Sequence, residues 1–402
     1  MNYREATCPA CGLHIAAPFF DGGLQPLATL SWPASAAAAQ ALPRLPLDFV
    51  RCVDCGHVFN AAFDYQQVPY SEKPNLMFNR AANWSRFIGE AQRRMLAHLP
   101  ERPVVVEIGH GDGSFLETLA ALRPGGRYVG FDPHGSTRSG AGAELRAELF
   151  TAARHLEELQ PHMVVSRHVL EHLSNPLGFL QGLSFAAASL DLATLAYFEV
   201  PCIDQAIETR RTVDFYYEHS SQFTTGSFTR MLSRTAAELI EVGHGYGNEV
   251  IYGFVRLGTP ATALGFARDS LNFATTAAAT QQRIADQVTT LHQLGKRIAV
   301  WGGTGKSAAF ICRYGLDRDR FPVVVDSDPA KAGTFVPGMG QEIRLRDYLL
   351  AHPADIVIIP PQWRAADIVL EMSQLGIAVD TVLIEHDGEL IDFHRAPHPY
   401  RP

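Results

Sequence analysis

Short β-branched runs alternate with stretches of helical spacing through most of this 402-residue chain. Val104-Val105-Val106-Glu107-Ile108 is the first such run, and it leads straight into a glycine-rich turn. Tyr128-Val129-Gly130-Phe131 ends at Asp132, Met163-Val164-Val165-Ser166 follows, and Leu195 to Val200 is a fourth. Brief apolar runs flanked by helical segments predict buried strands of a parallel, doubly wound sheet. Trp84 to Leu99 has helical spacing, and Pro100 and Pro103 end it. Residues 262–294 hold no proline, and Ile284, Val288 and Leu291 recur at helical spacing before Gly295, which predicts a connecting helix. A second strand-helix series then begins: Arg297 to Trp301, Val323 to Val325, Ile356 to Ile359 and Val382 to Ile384. The fold expected is α/β, with two Rossmann-like units that share a pattern but little sequence.

Residues 1–62 break this pattern. Two Cys-x-x-Cys pairs flank an Ala- and Pro-rich stretch, Ser31 to Pro46, whose alanine run Ala36 to Ala39 reads equally as a helix turn or a loop. Phe63 to Asn83 is polar and aromatic, with turn signals at Pro69 and Pro74. The division expected is therefore a small module over 1–62, a first Rossmann-like domain over 63–260, and a linker helix with a second over 261–402.

Composition narrows the class. With 47% hydrophobic and 19% charged residues, a sizeable core is feasible. The balance of 34 basic and 42 acidic residues gives −8, which argues against a general nucleic-acid or anionic-membrane binder. No apolar stretch is long enough to span a bilayer, and Met1 to Gly12 has no apolar signal core, so a cytoplasmic protein is expected. Six cysteines then need a role other than disulfides. Cys202 and Cys312 stand alone in apolar surroundings and read as buried thiols.

The other four are Cys8-Pro-Ala-Cys11-Gly and Cys52-Val-Asp-Cys55-Gly, separated by 40 residues. Each turn sets two sulfurs on one side of a tight loop, and two such knuckles make the closed thiolate set that Zn²⁺ prefers. A redox Cys-x-x-Cys is the alternative, but that motif is single and precedes a helix in a βαβ unit. His57 follows the second knuckle as a candidate outer partner.

Glu107-Ile-Gly109-His-Gly111-Asp-Gly113 lies where a strand turns into a helix. Glycines there let the backbone approach a nucleoside. Asp132 ends the next strand, where an acid can hold both ribose hydroxyls, and Glu107 can lie near a cationic group of the ligand. A dinucleotide turn is the alternative. Its third glycine would fall one residue later, and Glu before the first glycine is unusual for it, so S-adenosylmethionine is the better fit. His168 and His172 follow the third strand, whose end lines the crevice, although a polar helix start explains each equally well. Tyr216-Tyr217-Glu218-His219 follows the fourth strand. It reads as an acid-base cluster or as a solvated turn, and the tetrad alone does not decide.

Together these motifs resemble the sugar C-methyltransferase family, which acts on nucleotide-linked keto-deoxysugars, and the likeness covers nearly the whole chain. That family has a zinc-binding module, a methyltransferase domain and a C-terminal Rossmann-like domain. Its segment between the cysteine pairs is matched by Gly23-Leu-Gln-Pro26-Leu27-Ala28, and its Tyr-His-Glu-His by Tyr216 to His219. Its C-terminal turn is matched by Gly302-Gly303-Thr304-Gly305-Lys306, followed by Asp326, Lys331-Ala-Gly333 and Pro337-Gly338. The glycine turn is not a Walker A loop, because the required first glycine falls on Val300. It reads as a support for the substrate's nucleotide or as a purely structural turn. Tyr217, Gln222 and His168 depart from the family's His, aromatic and Asn, on the expected substrate side.

The resemblance implies a nucleoside-diphosphate 4-keto-deoxysugar as substrate. His219 would remove the C3 proton, Tyr216 or Glu218 would orient the base or bind the enolate, and His172 would stand in reserve as a base. Glu107, Gly109, Gly111, Gly113, Asp132 and His168 would hold S-adenosylmethionine, and Cys8, Cys11, Cys52 and Cys55 the zinc. An O- or N-methyltransferase on another small molecule, with His168 or His172 as its base, is the rival enzyme. A zinc-ribbon adaptor with a degenerate methyltransferase fold is the rival outside enzymes.

Overall fold

A computed structural model describes residues 3–30, 32–68, 81–137 and 142–401. It divides into two compact units, 1–264 and 265–402. Pro69 and Pro74 lie outside the described residues.

The first unit begins with β1 (Ala16–Gln25), the short helix α1 (Ala36–Gln40), β2 (Leu45–Cys52) and β3 (Val58–Asn60). The alanine run is thus helical. Ser35 caps it by accepting from the Ala38 amide, and none of its residues is buried. Next come α2 (Ala82–Ala97), β4 (Val104–Ile108), α3 (Ser114–Leu122), β5 (Arg127–Phe131), β6 (Ala143–Arg146), α4 (Ala152–Leu159) and β7 (Met163–Arg167). The unit continues with α5 (Pro176–Ser189), β8 (Leu195–Pro201), α6 (Asp204–Thr209), β9 (Ser221–Gln222), α7 (Thr225–Thr235), β10 (Ala236–Gly245) and β11 (Val250–Leu257).

Seven of these strands form one sheet in the order β6-β5-β4-β7-β8-β11-β10. The first five are mutually parallel, and β11 runs antiparallel to both β8 and β10. From β4 the chain crosses to β5 on one side, while β7 lies on the other. That reversal opens a crevice at the C-terminal ends of β4 and β7, where α/β sheets bind ligands. β6 and β10 left no apolar run in the sequence. Both are edge strands with polar faces, such as Glu238, Glu241 and His244 in β10.

A second sheet of the same unit has the order β1-β2-β3-β9. Its last strand comes from far along the chain, with Val58 opposite Gln222 and Phe59 opposite Ser221. The cysteine knuckles also share a core with the large sheet: Cys8, Val50 and Cys52 cluster with Phe198, Phe223 and Phe228.

The second unit takes most of α8 (Ala261–Gln293), whose Ile284 and Val288 are buried in its core. It contains β12 (Ile298–Trp301), α9 (Lys306–Arg313), β13 (Val323–Asp326), β14 (Ile343–Leu345), α10 (Tyr348–Ala351), β15 (Ile356–Ile358), α11 (Ala365–Leu375), β16 (Thr381–His386) and β17 (Glu389–Asp392). The sheet order is β14-β13-β12-β15-β16-β17, parallel except for the last strand. Cys202 is buried as expected, but Cys312 is exposed: it lies in the last turn of α9, where its thiol donates to the Pro337 carbonyl at 3.2 Å. No helix among the described residues is long and apolar enough to cross a membrane.

Candidate functional site

The glycine turn after β4 needs its glycines. Gly109 and Gly113 have φ of +78° and +80°, in the left-handed region. A Cβ on Gly109 would come 2.4 Å from Val169 Cγ2, and one on Gly113 would come 2.4 Å from Leu145 Cδ1. Gly111 has φ +57°, and its amide donates to Asp132 Oδ2 at 3.1 Å. The amide of His134 donates to Asp132 Oδ1 at 2.9 Å. A carboxylate has about four acceptor sites, so two remain for a pair of hydroxyls. The turn thus fixes Asp132 without saturating it.

Glu107 is the penultimate residue of β4, with its side chain buried, and its Oε2 has no hydrogen-bond partner. Burial pushes its carboxyl up to about 8, against the pull of Arg167. A cationic ligand group would restore its charge, so this orphaned acid fits the ammonium of S-adenosylmethionine.

Across the crevice, β7 ends in Arg167 and His168. Arg167 donates to Glu199 Oε1 through Nη2 at 2.9 Å and through Nε at 3.1 Å, and its guanidinium lies 4.2 Å from the centre of the Phe115 ring. Tyr197 donates to Glu199 Oε2 at 2.6 Å. Burial acts to raise the Glu199 carboxyl, but Arg167 and His168 hold it down at about 2. His168 has φ +53°, a conformation uncommon outside glycine and one that clusters at functional sites. Its Nε2 lies 3.1 Å from Glu199 and its Nδ1 3.4 Å from Glu171. Burial opposes its protonation, yet the two carboxylates win and raise it to about 9.

His219, Tyr216 and His172 come together beside this network. Tyr216 Oη and His219 Nε2 are 2.7 Å apart, and the rings of His172 and His219 meet edge to face at 4.8 Å. His172 Nδ1 bonds the Glu218 carbonyl at 2.8 Å. Burial, then the charges of His172 and His168, hold His219 well below its usual range, which leaves a neutral imidazole at pH 7. Burial, followed by the charges of Glu171 and other acids, pushes the Tyr216 phenol up, so it stays a donor.

The Glu218 carboxylate points elsewhere. Its oxygens accept the amides of Ala28, Thr29 and Leu30 at 3.1, 2.7 and 3.1 Å. It clamps the segment that carries His219 to the segment that begins Gly23-Leu-Gln-Pro-Leu. Tyr217 and Gln222 also face the protein. The Tyr217 hydroxyl accepts the Asp64 amide at 2.9 Å, and Gln222 Nε2 donates to the carbonyls of Asp214 and His219 at 3.1 and 3.2 Å. Of the three departures noted in the sequence, only His168 borders the crevice.

The four cysteines converge. Cys8 and Cys55 sulfurs are 3.6 Å apart, those of Cys11 and Cys52 are 3.5 Å apart, and all four lie within 4.8 Å of one another. Tetrahedral Zn–S bonds of about 2.3 Å require sulfur separations of about 3.8 Å. Arg230 bonds the Asp54 carbonyl and Arg234 reaches its carboxylate at 3.2 Å, while the Leu177 amide donates to the Pro9 carbonyl at 3.2 Å. Helices α7 and α5 thus grip both knuckles. His57 lies fully buried between Phe59 and Phe223, and neither ring nitrogen has a partner. It packs as an aromatic ring.

A methyltransferase-domain family profile matches residues 79–242, and the profile of the C-methyltransferase C-terminal domain matches residues 263–382. This chain is a SAM-dependent methyltransferase of the C-methyltransferase family. Among its relatives is the C-methyltransferase NovU of Streptomyces niveus, 24% identical over 286 residues, which span 65% of this chain and 67% of the relative. Among solved structures, the magnesium protoporphyrin IX methyltransferase ChlM of Synechocystis PCC 6803, with bound SAH, is 13% identical over 45% of this methyltransferase and 87% of that chain, with a TM-score of 0.33. The plantazolicin methyltransferase BpumL in complex with SAH is 14% identical over 44% of this chain and 86% of its own, with a TM-score of 0.34.

Arg167, Glu199 and Glu171 of this methyltransferase were not singled out in the sequence. Glu171 is 1% exposed, and neither carboxylate oxygen has a hydrogen-bond partner. Its spacing from His168 was visible, but a carboxylate at a helix start ordinarily reads as solvated.

Proposed function

We propose that this methyltransferase adds a methyl group to a carbon next to the ketone of a nucleotide-linked keto-deoxysugar, with His219 as the base. The observation that carries the reading is the His219–Tyr216 pair: a neutral imidazole and a protonated phenol 2.7 Å apart, next to the donor crevice. A ketone acidifies the neighbouring C–H. His219 takes that proton, the C–H electron pair passes into the enolate, and the Tyr216 hydroxyl donates to the enolate oxygen. A placed base contributes about 10² to 10⁴ in rate, and a preorganised donor adds to it. Glu218 acts indirectly, by anchoring the segment that carries both groups. Bound S-adenosylmethionine supplies the electrophilic methyl. Glu107 and Asp132 face its cationic and ribose parts in this reading, and His168 borders the same crevice. We assign Cys8, Cys11, Cys52 and Cys55 to one structural Zn²⁺, a closed set with no open position for catalysis.

Protonation separates this reading from O- or N-methylation with His168 as base. With the imidazole raised to about 9, His168 is charged at neutral pH and has no lone pair to offer. The test is exchange of the sugar C3 hydrogen with heavy water, with S-adenosylhomocysteine in place of the donor. His219→Ala is expected to lose exchange by at least about 10²-fold and to keep its affinity for S-adenosylhomocysteine. Exchange at the wild-type rate would move the base elsewhere, first to His172.

A further inference from the structure

Glu171 lies in the turn Leu170–His172, buried, with neither carboxylate oxygen hydrogen-bonded. Burying a carboxylate without hydrogen bonds is unfavourable, so its surroundings need a reason to keep it. The groups around it are basic. His168 Nδ1 is 3.4 Å away. Glu171, His172 and His219 each bring one polar atom within 4.8 Å of the other two. The carboxylate also acts on the Tyr216 phenol, the partner of His219.

His219 is a base under a handicap. Its surroundings disfavour a charged imidazole, yet the reaction leaves a proton on it. The ionisable groups that face it are Tyr216 on its own segment, His172 and Glu171 from the turn, and His168 from the end of β7. Glu218 has its carboxylate turned to residues 28–30. Arg167 and Glu199 pair with each other one layer further on. Of the two carboxylates next to His168, Glu199 already serves Arg167 and Tyr197. Glu171 is the anion left to answer a new cation.

We infer that Glu171 is the positioning residue of the reaction, the counter-charge that receives the His219 imidazolium after proton transfer. The inference rests on the reading of His219 as the base. Before the reaction, the His168 imidazolium balances Glu171. Afterwards the C–H bond is broken, the N–H bond is formed, and the carboxylate lies between two cations. Within 4.8 Å of the His219 ring, its charge, rather than a hydrogen bond, also favours the ring tautomer that turns its N–H toward it. The aspartate of a hydrolase triad acts through its histidine by the same physics.

The experiment compares wild type, Glu171→Gln, Glu171→Asp and His219→Ala, each as the full chain with its metal and S-adenosylhomocysteine. The probe substrate is a thymidine-diphosphate 4-keto-6-deoxyhexose. Glu171→Gln is expected to slow C3–H exchange by about 10- to 100-fold with the KM unchanged within about two-fold. It should also move the acid limb of the pH profile to lower pH, because loss of the anion weakens the base. Glu171→Asp should recover most of the rate. The ¹⁵N shifts of the His219 ring, assigned by their loss in His219→Ala, should show an altered tautomer in Glu171→Gln. Unchanged ring shifts in folded Glu171→Gln overturn the inference whether or not the probe reacts. If Glu171→Gln does not fold, the same spectrum of Glu171→Asp decides. Persistent exchange in His219→Ala sinks the base assignment, whereas its loss there with a wild-type profile in Glu171→Gln sinks only the role of Glu171.

Discussion

The two Rossmann-like units build the same turn and use it differently. In each, the first strand runs into glycines and the second ends in an aspartate: Gly109, Gly111, Gly113 and Asp132 in one, Gly302, Gly303, Gly305 and Asp326 in the other. Asp132 takes two backbone amides and, among the described residues, no cation. Asp326 takes the amides of Gly303 and Asp328 and then the Lys331 ammonium at 3.1 Å. The first strand of one unit carries a buried Glu107 near its end, whose Oε2 has no hydrogen-bond partner; that of the other ends with Trp301, whose indole donates to Ser327. The lesson is that turn geometry alone makes no donor site. The first unit leaves two carboxyls without a hydrogen-bonded cation at its crevice, while the second pairs its aspartate with Lys331.

The largest expected effect tests what holds the first unit together. Zinc removal by a strong chelator, or Cys52→Ala, should cost several kcal/mol there, because metal binding is folding free energy in such modules. Calorimetry should show the transition of the first unit move down while that of the second stays. Full stability in protein shown to be free of metal would remove zinc from the account.

Next come the paired aspartates. Asp132→Ala should weaken S-adenosylhomocysteine by about 10- to 100-fold, since it removes charge-assisted acceptors. Asp326→Ala should leave that affinity within about two-fold and lower only the stability of its own unit. Titration calorimetry on both variants reads this directly. Equal losses would erase the contrast between the units.

The smallest effect concerns Glu107. Burial pushes its carboxyl up to about 8 from an ordinary value of 4.5. The folded state therefore holds a proton that the unfolded chain has lost. Its contribution is fully present below about pH 4.5 and is lost as the pH rises through about 8. Glu107→Gln should gain on wild type by roughly 1–3 kcal/mol in urea unfolding between pH 5 and pH 9, while weakening donor binding. A difference that stays constant across that range would show that the carboxyl is already ionised in the folded state.

Much of the fold was legible because buried parallel strands are written as contiguous apolar runs. Val104 to Ile108 and Met163 to Ser166 announced the centre of the first sheet, and Ile298 to Trp301 that of the second. The edge strands β6 and β10 were silent because half of each faces water. In the candidate site, the glycine turn and the cysteine pairs were readable as local motifs. The place of the Glu218 carboxylate was not legible. Its partners are amides almost two hundred residues earlier, as the sequence separation of 190 between Ala28 and Glu218 shows.

By itself the sequence determined what short-range physics dictates: which residues need φ above zero, where strands stop and helices start, and which sulfurs pair in a turn. These depend on neighbours within a few positions, so the order of residue types suffices. Only the tertiary structure decided that β9 completes the sheet of the cysteine module, that Glu218 faces residues 28–30, and that Glu171 lies buried beside His219. Such pairings bring together groups far apart along the chain. Their charges interact strongly only once the fold has excluded water between them.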